Sequence, residues 1–282
     1  MITAGYEMSL SDKFDLACLS DVGRHRSHNE DSIASDPGLG VAVLADGMGG
    51  YRAGEVASAI AVNMVMEEVR DGITRIRPGG VDAQSGLTQE TLLLKTAIDK
   101  ANSTIHQTAQ SQPQCQGMGT TIVSVLFFND RITIAHVGDS RMYRLRGEEF
   151  EQVTVDHSLL QELVDKGFYT PEQARESLNK NLVTRAVGID SELVVDIQSE
   201  SVEPGDIYLL CSDGLSDHVG DEEIHLTLAK YSDNLSQAAS VLVDTANENG
   251  GKDNISVILV RAIKPFPSTR DSWYARLLHW FN

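Results

Sequence analysis

Four aspartates stand where an apolar run meets a turn. Asp46 follows Val41–Ala45, Asp139 follows Ile132–Val137, Asp213 follows Ile207–Cys211, and Asp253 precedes Ile255–Val260. Three of them sit in tight polar or glycine-bearing turns: Asp46-Gly47, Gly138-Asp139-Ser140 and Ser212-Asp213-Gly214. A single Asp-Gly after a strand is ordinary turn chemistry. Several acidic strand ends without matching basic turns ask for more. Strand ends can converge in space, and gathered carboxylates repel one another unless cations neutralise them. Oxygen-only ligands suit a hard divalent ion, Mg²⁺ or Mn²⁺. Neither the three cysteines nor the histidines show zinc spacing.

Other phosphate chemistries fit poorly. The glycines after Asp46 (Gly47, Gly49, Gly50, Gly54) have no Gly-Lys-Ser/Thr ending, and an acid leads the loop, so a nucleotide cradle is excluded. Gly47 instead lets the backbone approach a metal closely enough to offer its carbonyl. Cys211 lacks the arginine six positions on that a cysteine phosphatase loop requires; Asp217 stands there. Ser140 and Ser212 read as turn formers beside the acids.

These turns need a scaffold of strands. Runs rich in β-branched and aromatic residues predict strands at Phe14–Leu19, Val41–Ala45, Thr121–Phe128, Arg131–Val137, Met142–Leu145, Ile207–Cys211 and Ile255–Val260. Phe127–Arg131 reads as a hairpin turn. Leu235, Ala238, Ala239, Leu242, Val243 and Ala246 recur on one helical face. Gly54–Val69 and Thr88–Ala109 predict two longer helices, the first with Val56, Ala59, Ile60 and Met64 on one side, with Arg77–Gly86 a loop between them. Strands and helices come in clusters, which favours an α+β fold with antiparallel sheets over a doubly wound one. Around Phe168–Asn181 a polar stretch with Pro171 predicts a mobile segment.

The chain has 282 residues, 41% hydrophobic and 23% charged, with a formal charge of −18. That suits a soluble globular protein and speaks against binding nucleic acid or anionic lipid. The acidity is either a solubilising surface or acids gathered to hold cations. It predicts basic residues flanking whatever anionic site is recognised on a substrate. Cys18 and Cys211 lie in apolar runs and predict buried, inert thiols, as in a reducing compartment. No basic-then-apolar leader opens the chain and no apolar run reaches membrane length, so a cytoplasmic location is expected.

Six motifs in order then carry a resemblance. They are Arg26-Ser27-His28-Asn29-Glu30-Asp31, Ala45-Asp46-Gly47-Met48-Gly49-Gly50, Gly117-Met118-Gly119-Thr120-Thr121, His136-Val137-Gly138-Asp139-Ser140-Arg141, Cys211-Ser212-Asp213-Gly214-Leu215 and Lys252-Asp253-Asn254-Ile255. Together they resemble the metal-dependent type 2C (PPM) protein phosphatases of bacteria, over about residues 12 to 262. The resemblance implies a four-layer α-β-β-α sandwich with two central, mainly antiparallel sheets. It implies one catalytic domain, residues 1–263, followed by a basic aromatic tail, 264–282.

It also implies roles. Asp46 matches the carboxylate bridging two Mn²⁺ or Mg²⁺ ions, Gly47 a carbonyl ligand, and Asp213 and Asp253 the other ligands of the first ion. Asp31 and Glu30 match acids on the second ion's side, and Asp139 with Asp213 matches a third, weaker ion site. Arg26 matches the phosphate-binding arginine, and Asn254 a residue that orients ligands or water. The implied reaction is hydrolysis of phosphoserine or phosphothreonine by a metal-activated bridging water, opposing a Ser/Thr kinase. Rival readings are a phosphoprotein-binding pseudophosphatase and a phosphatase of small phosphate esters or anti-sigma antagonists.

The general acid stays unassigned. Met48 stands where some members have histidine, and Tyr51 where others do; Tyr51 and His157 are the candidates. The segment from Ser158 to Asn181 matches a variable flap beside the site. In the tail, Trp273, Leu277 and Trp280 would share a helix face, which either docks on its own domain or is offered to a partner.

Overall fold

In a computed structural model, residues 10–50, 52–170, 173 and 182–267 are described. The strands in chain order are β1 Phe14–Asp21, β2 Asp31–Asp36, β3 Val41–Met48, β4 Gly119–Thr120, β5 Ile122–Phe128, β6 Arg131–Val137, β7 Arg141–Arg146, β8 Glu149–Gln152, β9 Asp196–Ser201, β10 Ile207–Cys211 and β11 Ile255–Ala262. The longer helices are α1 Ala53–Ile73 and α2 Gln89–Ser111, then a short α3 Leu159–Asp165 and the pair Asp221–Lys230 and Leu235–Glu248. One sheet runs β1-β11-β10-β7-β8; the other runs β2-β3-β5-β6-β9, with β4 paired on β3. Every pairing is antiparallel.

Side-chain alternation explains the layers. In β3, Val41, Val43 and Ala45 face α1 and α2, whereas Ala42 and Leu44 face the other sheet. In β10, Ile207, Leu209 and Cys211 face the helices Asp221–Lys230 and Leu235–Glu248, whereas Tyr208 and Leu210 join the inter-sheet core. Strands covered on both faces must be apolar at every position, which is why these runs are continuous rather than alternating. The result is the expected four-layer α-β-β-α sandwich.

The seven expected strands form, each within about three residues of its expected ends. Leu235–Glu248 buries the six expected residues. The β5–β6 hairpin closes through Asn129 and Asp130, both at positive φ (47° and 54°), the signature of a two-residue primed turn. Two expectations are corrected. Helix α1 turns Ala57, Ala61, Val65 and Val69 inward and leaves Val56 38% exposed, because the alanine stripe lets it lie closer to β3 than the bulkier one would. Cys18 is exposed, since β1 is an edge strand; Cys115 and Cys211 are buried.

Beyond residue 263, Phe266 is buried and packs edge-on against Phe14. Trp273, Leu277 and Trp280, Tyr51, and most of the expected mobile segment lie outside the described residues. No described helix is long and apolar enough to cross a membrane.

Candidate active site

Antiparallel register brings the acids together. Asp31, the first residue of β2, pairs directly across from Asp46 on β3. The other sheet delivers Asp213, just beyond the end of β10, and Asp253, just before β11. Ser212 Oγ joins the sheets by donating to Asp31 Oδ2 at 2.9 Å. Asp139 arrives from the turn between β6 and β7. The cluster therefore sits at one end of the sandwich, where both sheets expose strand termini.

Its electrostatics are those of unneutralised acids. Burial, then the charges of Asp31, Asp213 and Asp139, holds Asp46 well above the usual carboxylate range. Burial, then Asp139 and Asp253, does the same to Asp213. Burial pushes Asp31 up to about 6, with the charge of Asp253 adding to the rise against hydrogen bonds from Ser256 and Ser212. Asp139 is likewise pushed up to about 6 by burial and by Asp156. Asp31 Oδ1 and Asp213 Oδ1 are buried with no hydrogen-bond partner. Orphaned carboxylate oxygens are costly unless a cation meets them. An all-oxygen donor set with two such atoms fits hard divalent ions.

Backbone close approach explains the glycines. A Cβ on Gly47 would collide with the Gly54 carbonyl and come within 2.6 Å of the Glu30 carbonyl. Gly47 N–H donates to that Glu30 carbonyl at 3.1 Å, which locks the Glu30–Asp31 step against the Asp46–Gly47 step. Burial raises Glu30, with His28 and Arg26 opposing the rise.

Arg26 lies at the mouth, half exposed, with Nη2 2.6 Å from Asp253 Oδ2. Asn254 ties that mouth down. Its Oδ1 accepts from Glu30 N–H at 2.8 Å, and its Nδ2 donates to the Val22 and His28 carbonyls at 2.9 and 3.1 Å. The loop carrying Arg26 is thus pinned at both ends by one amide.

Several supporting residues had no role assigned from sequence. Thr121 Oγ1 accepts from Asp46 N–H at 3.0 Å, while Thr120 Oγ1 donates to the Asp46 carbonyl at 2.8 Å. Thr121 Oγ1 also meets Ser140 Oγ at 2.6 Å, which couples the Asp46 turn to the Asp139 turn. Asn29 accepts from Asp31 N–H and donates to Ser20. The Gly-Met-Gly-Thr-Thr motif signalled the threonines, but only tertiary contacts give them a task. Ser212, expected to be a turn former, also links the two sheets at this end.

His157 is buried and holds the Asp139 turn. Its Nδ1 accepts from Gly138 N–H at 3.0 Å, and its backbone N–H donates to the Gly138 carbonyl at 2.9 Å. Its Nε2 lies 3.2 Å from both Asp196 and Arg185. His136, His157 and Asp196 offer ligand atoms within 4.8 Å of one another, yet Arg185 already pairs with Asp196 at 2.6 Å, so a cation is in place. Burial pushes the Cys211 thiol up to about 12, which removes it as a nucleophile.

Residues 23–255 match the family described as Protein phosphatase 2C. The chain is 37% identical over 244 residues to the serine/threonine phosphatase stp of Listeria monocytogenes, across 86% of this chain and 93% of that one. It superposes on the crystal structure of the Mycobacterium tuberculosis serine/threonine phosphatase PstP/Ppp with a TM-score of 0.80 at 36% identity, covering 89% of this chain and all of that one. A structure of the PstP catalytic domain in complex with two manganese ions matches with a TM-score of 0.77 at 36% identity, over 89% of this chain and 99% of that one.

Proposed function

The chain belongs to the protein phosphatase 2C family of metal-dependent serine/threonine protein phosphatases, and from that premise we propose how its residues divide the work of hydrolysing phosphoserine and phosphothreonine in proteins. The observation that carries the assignment is the pair of buried, unpartnered oxygens on Asp31 and Asp213, set among acids that only cations can neutralise. Asp46, the Gly47 carbonyl, Asp213 and Asp253 would hold the first Mn²⁺ or Mg²⁺, and Asp46, Asp31 and Glu30 would serve the second. Asp139 and Asp213 would hold a third, weaker ion. When bound, the ions neutralise the carboxylates and activate water for attack on phosphorus.

The remaining tasks fall to the chain itself. Arg26 offers a planar fork to two phosphate oxygens, and its place beside Asp253 supports that role. Asn254 holds the Arg26 loop at the distance its hydrogen bonds set. Thr121 keeps the Asp46 turn and the Asp139 turn in register. With both ring nitrogens engaged, His157 is a positioning residue for Gly138–Asp139 rather than the proton donor, and Tyr51 is left as the side-chain candidate. The substrates are proteins phosphorylated by a bacterial Ser/Thr kinase in the cytoplasm, and the basic aromatic tail, residues 264–282, serves to dock a partner.

Phosphate release from a phosphothreonine peptide, with a phosphotyrosine control, tests this reading after EDTA stripping and titration with Mn²⁺ and Mg²⁺. Metal-dependent release from phosphothreonine, lost in Asp46→Asn and Asp213→Asn, is expected. Release that needs no metal, or that survives in both variants, would refute it.

A further inference from the structure

The mouth of the site carries bases that the fold leaves without acids. In a chain of formal charge −18, most described bases are spoken for. Arg141 pairs with Asp156, Arg144 with Glu200, Arg146 with Asp206, Arg185 with Asp196 and Arg261 with Asp15. Arg24, Arg52 and Lys252 are exposed and have no ion pair among the described residues.

Each of the three stands beside the cluster along the chain. Arg24 and His25 both donate their backbone N–H to the Gly251 carbonyl, at 2.7 and 3.2 Å. The Arg24 stem lies across Gly251, where a Cβ would be 2.7 Å from Arg24 Cγ. Two residues on, Arg26 reaches Asp253. Lys252 directly precedes Asp253. Arg52 caps α1 two residues before Gly54, whose carbonyl abuts Gly47. Two residues of chain span at most about 7 Å, so all three bases are anchored within that reach of Arg26, Asp253 or Gly54. Glu55 is an opposing exposed acid on this rim, and its charge is felt at Glu30.

Resting on the phosphatase reading above, we propose that Arg24, Arg52 and Lys252 form a cationic rim that selects substrates carrying a second anionic group, a carboxylate or a further phosphate, close to the phosphoresidue. The far field of the protein is negative, and it led to an expectation of basic flanks. The last few ångströms are governed by the nearest charges instead, since screening at physiological ionic strength cuts off contributions beyond about 8 Å. Charges so placed act on encounter and KM more than on the chemical step.

The test uses the full-length, Mn²⁺-loaded protein and four phosphothreonine peptides, flanked by Ala, Glu, Arg or a second phosphothreonine. Arg24→Glu, Arg52→Glu, Lys252→Glu and the triple variant are compared with wild type. Wild type should prefer the Glu or diphosphorylated peptide over the Ala peptide at low salt, chiefly through KM. Each reversal should lower that ratio about 2- to 5-fold, the scale of an exposed ion pair. Arg24→Lys should keep the ratio, and about 0.5 M salt should collapse it. The stronger of the two anionic arms identifies the group recognised. A wild-type preference for Arg flanks, or a ratio unmoved in the folded triple variant, would overturn the rim. Release from all peptides at equal rates refutes the rim and leaves the phosphatase reading standing; no release even from the Ala peptide refutes that reading itself.

Discussion

Strand β10 has an aspartate beside each end, and the two live in opposite worlds. Asp206, just before Ile207, is 1% exposed and fully answered by the chain. Arg146 grips it through Nε at 2.8 Å and Nη2 at 2.6 Å, Tyr208 donates its hydroxyl, and Glu203 its backbone N–H. Asp213, two residues past Cys211, has a buried oxygen with no partner and Asp139, Asp253 and Asp217 as its charged neighbours. A buried acid that the chain satisfies is part of the fold. One that the chain leaves to other acids marks a place where something else must bind.

Exchanging charge for amide at the two ends should separate these roles most widely. Asp213→Asn or Asp46→Asn should cost on the order of 10³-fold or more in kcat, the scale of losing transition-state electrostatics. The metal-free protein should unfold no more easily, since one buried like charge is gone. Asp206→Asn should instead lower stability by up to about 3 kcal/mol, by unpairing Arg146, while activity per folded molecule is kept. Urea melts alongside initial rates read both. Full stability with lost activity in Asp206→Asn would break the contrast.

Metal should stabilise one end only. At a hundred times its dissociation constant, Mn²⁺ should add about 2.7 kcal/mol to the wild type. Asp206→Asn should show the same gain and Asp46→Asn much less of it, as measured by thermal melts across a metal titration. Asn254→Ala releases the loop without removing a carboxylate, so a loss of about 10- to 100-fold in metal affinity or activity is expected. Isothermal titration with Mn²⁺ checks it, and an unchanged affinity and rate would deny Asn254 its positioning role.

The smallest expected effect is a pH slope in the metal-free protein. Asp31 and Asp139 titrate near 6 when folded, above an ordinary carboxylate. Groups raised by folding contribute stability that is full below their unfolded pKa and lost as pH rises through the folded value. The EDTA-stripped protein should therefore lose stability as pH rises from about 4, through about 6 for Asp31 and Asp139 by an amount on the order of 1 kcal/mol each, and onward above 6 for Asp46 and Asp213, which burial and acidic neighbours raise further. Asp139→Asn should lessen the loss between about pH 4 and about pH 6; an equal loss in the variant would remove Asp139 as a contributor.

Much of the scaffold was legible because strands buried on both faces leave continuous apolar runs, as in Val41–Ala45 and Ile207–Cys211. Four strands escaped: β4 is only two residues long, and the other three are polar. β2, β8 and β9 carry mostly half-buried or exposed residues, so no apolar run announces them. The face of α1 was misread because two apolar stripes compete on it, and only packing against β3 chooses the alanine one. Cys18 shared an apolar run with neighbours that are better covered, and its edge position was invisible.

The acids of the site, their oxygen-only chemistry and the order of the six motifs are matters of residue type and local spacing, and the sequence determined these by itself. Which acids meet is another kind of fact. Asp31 faces Asp46 because β2 and β3 pair in one register, and Ser212 reaches Asp31 across 181 residues of chain. Asn254 secures the Arg26 loop through bonds to residues more than 220 positions away. Hydrogen bonds are satisfied in space, not along the chain. Only the tertiary structure could decide which buried oxygens find a donor and which are left for a cation.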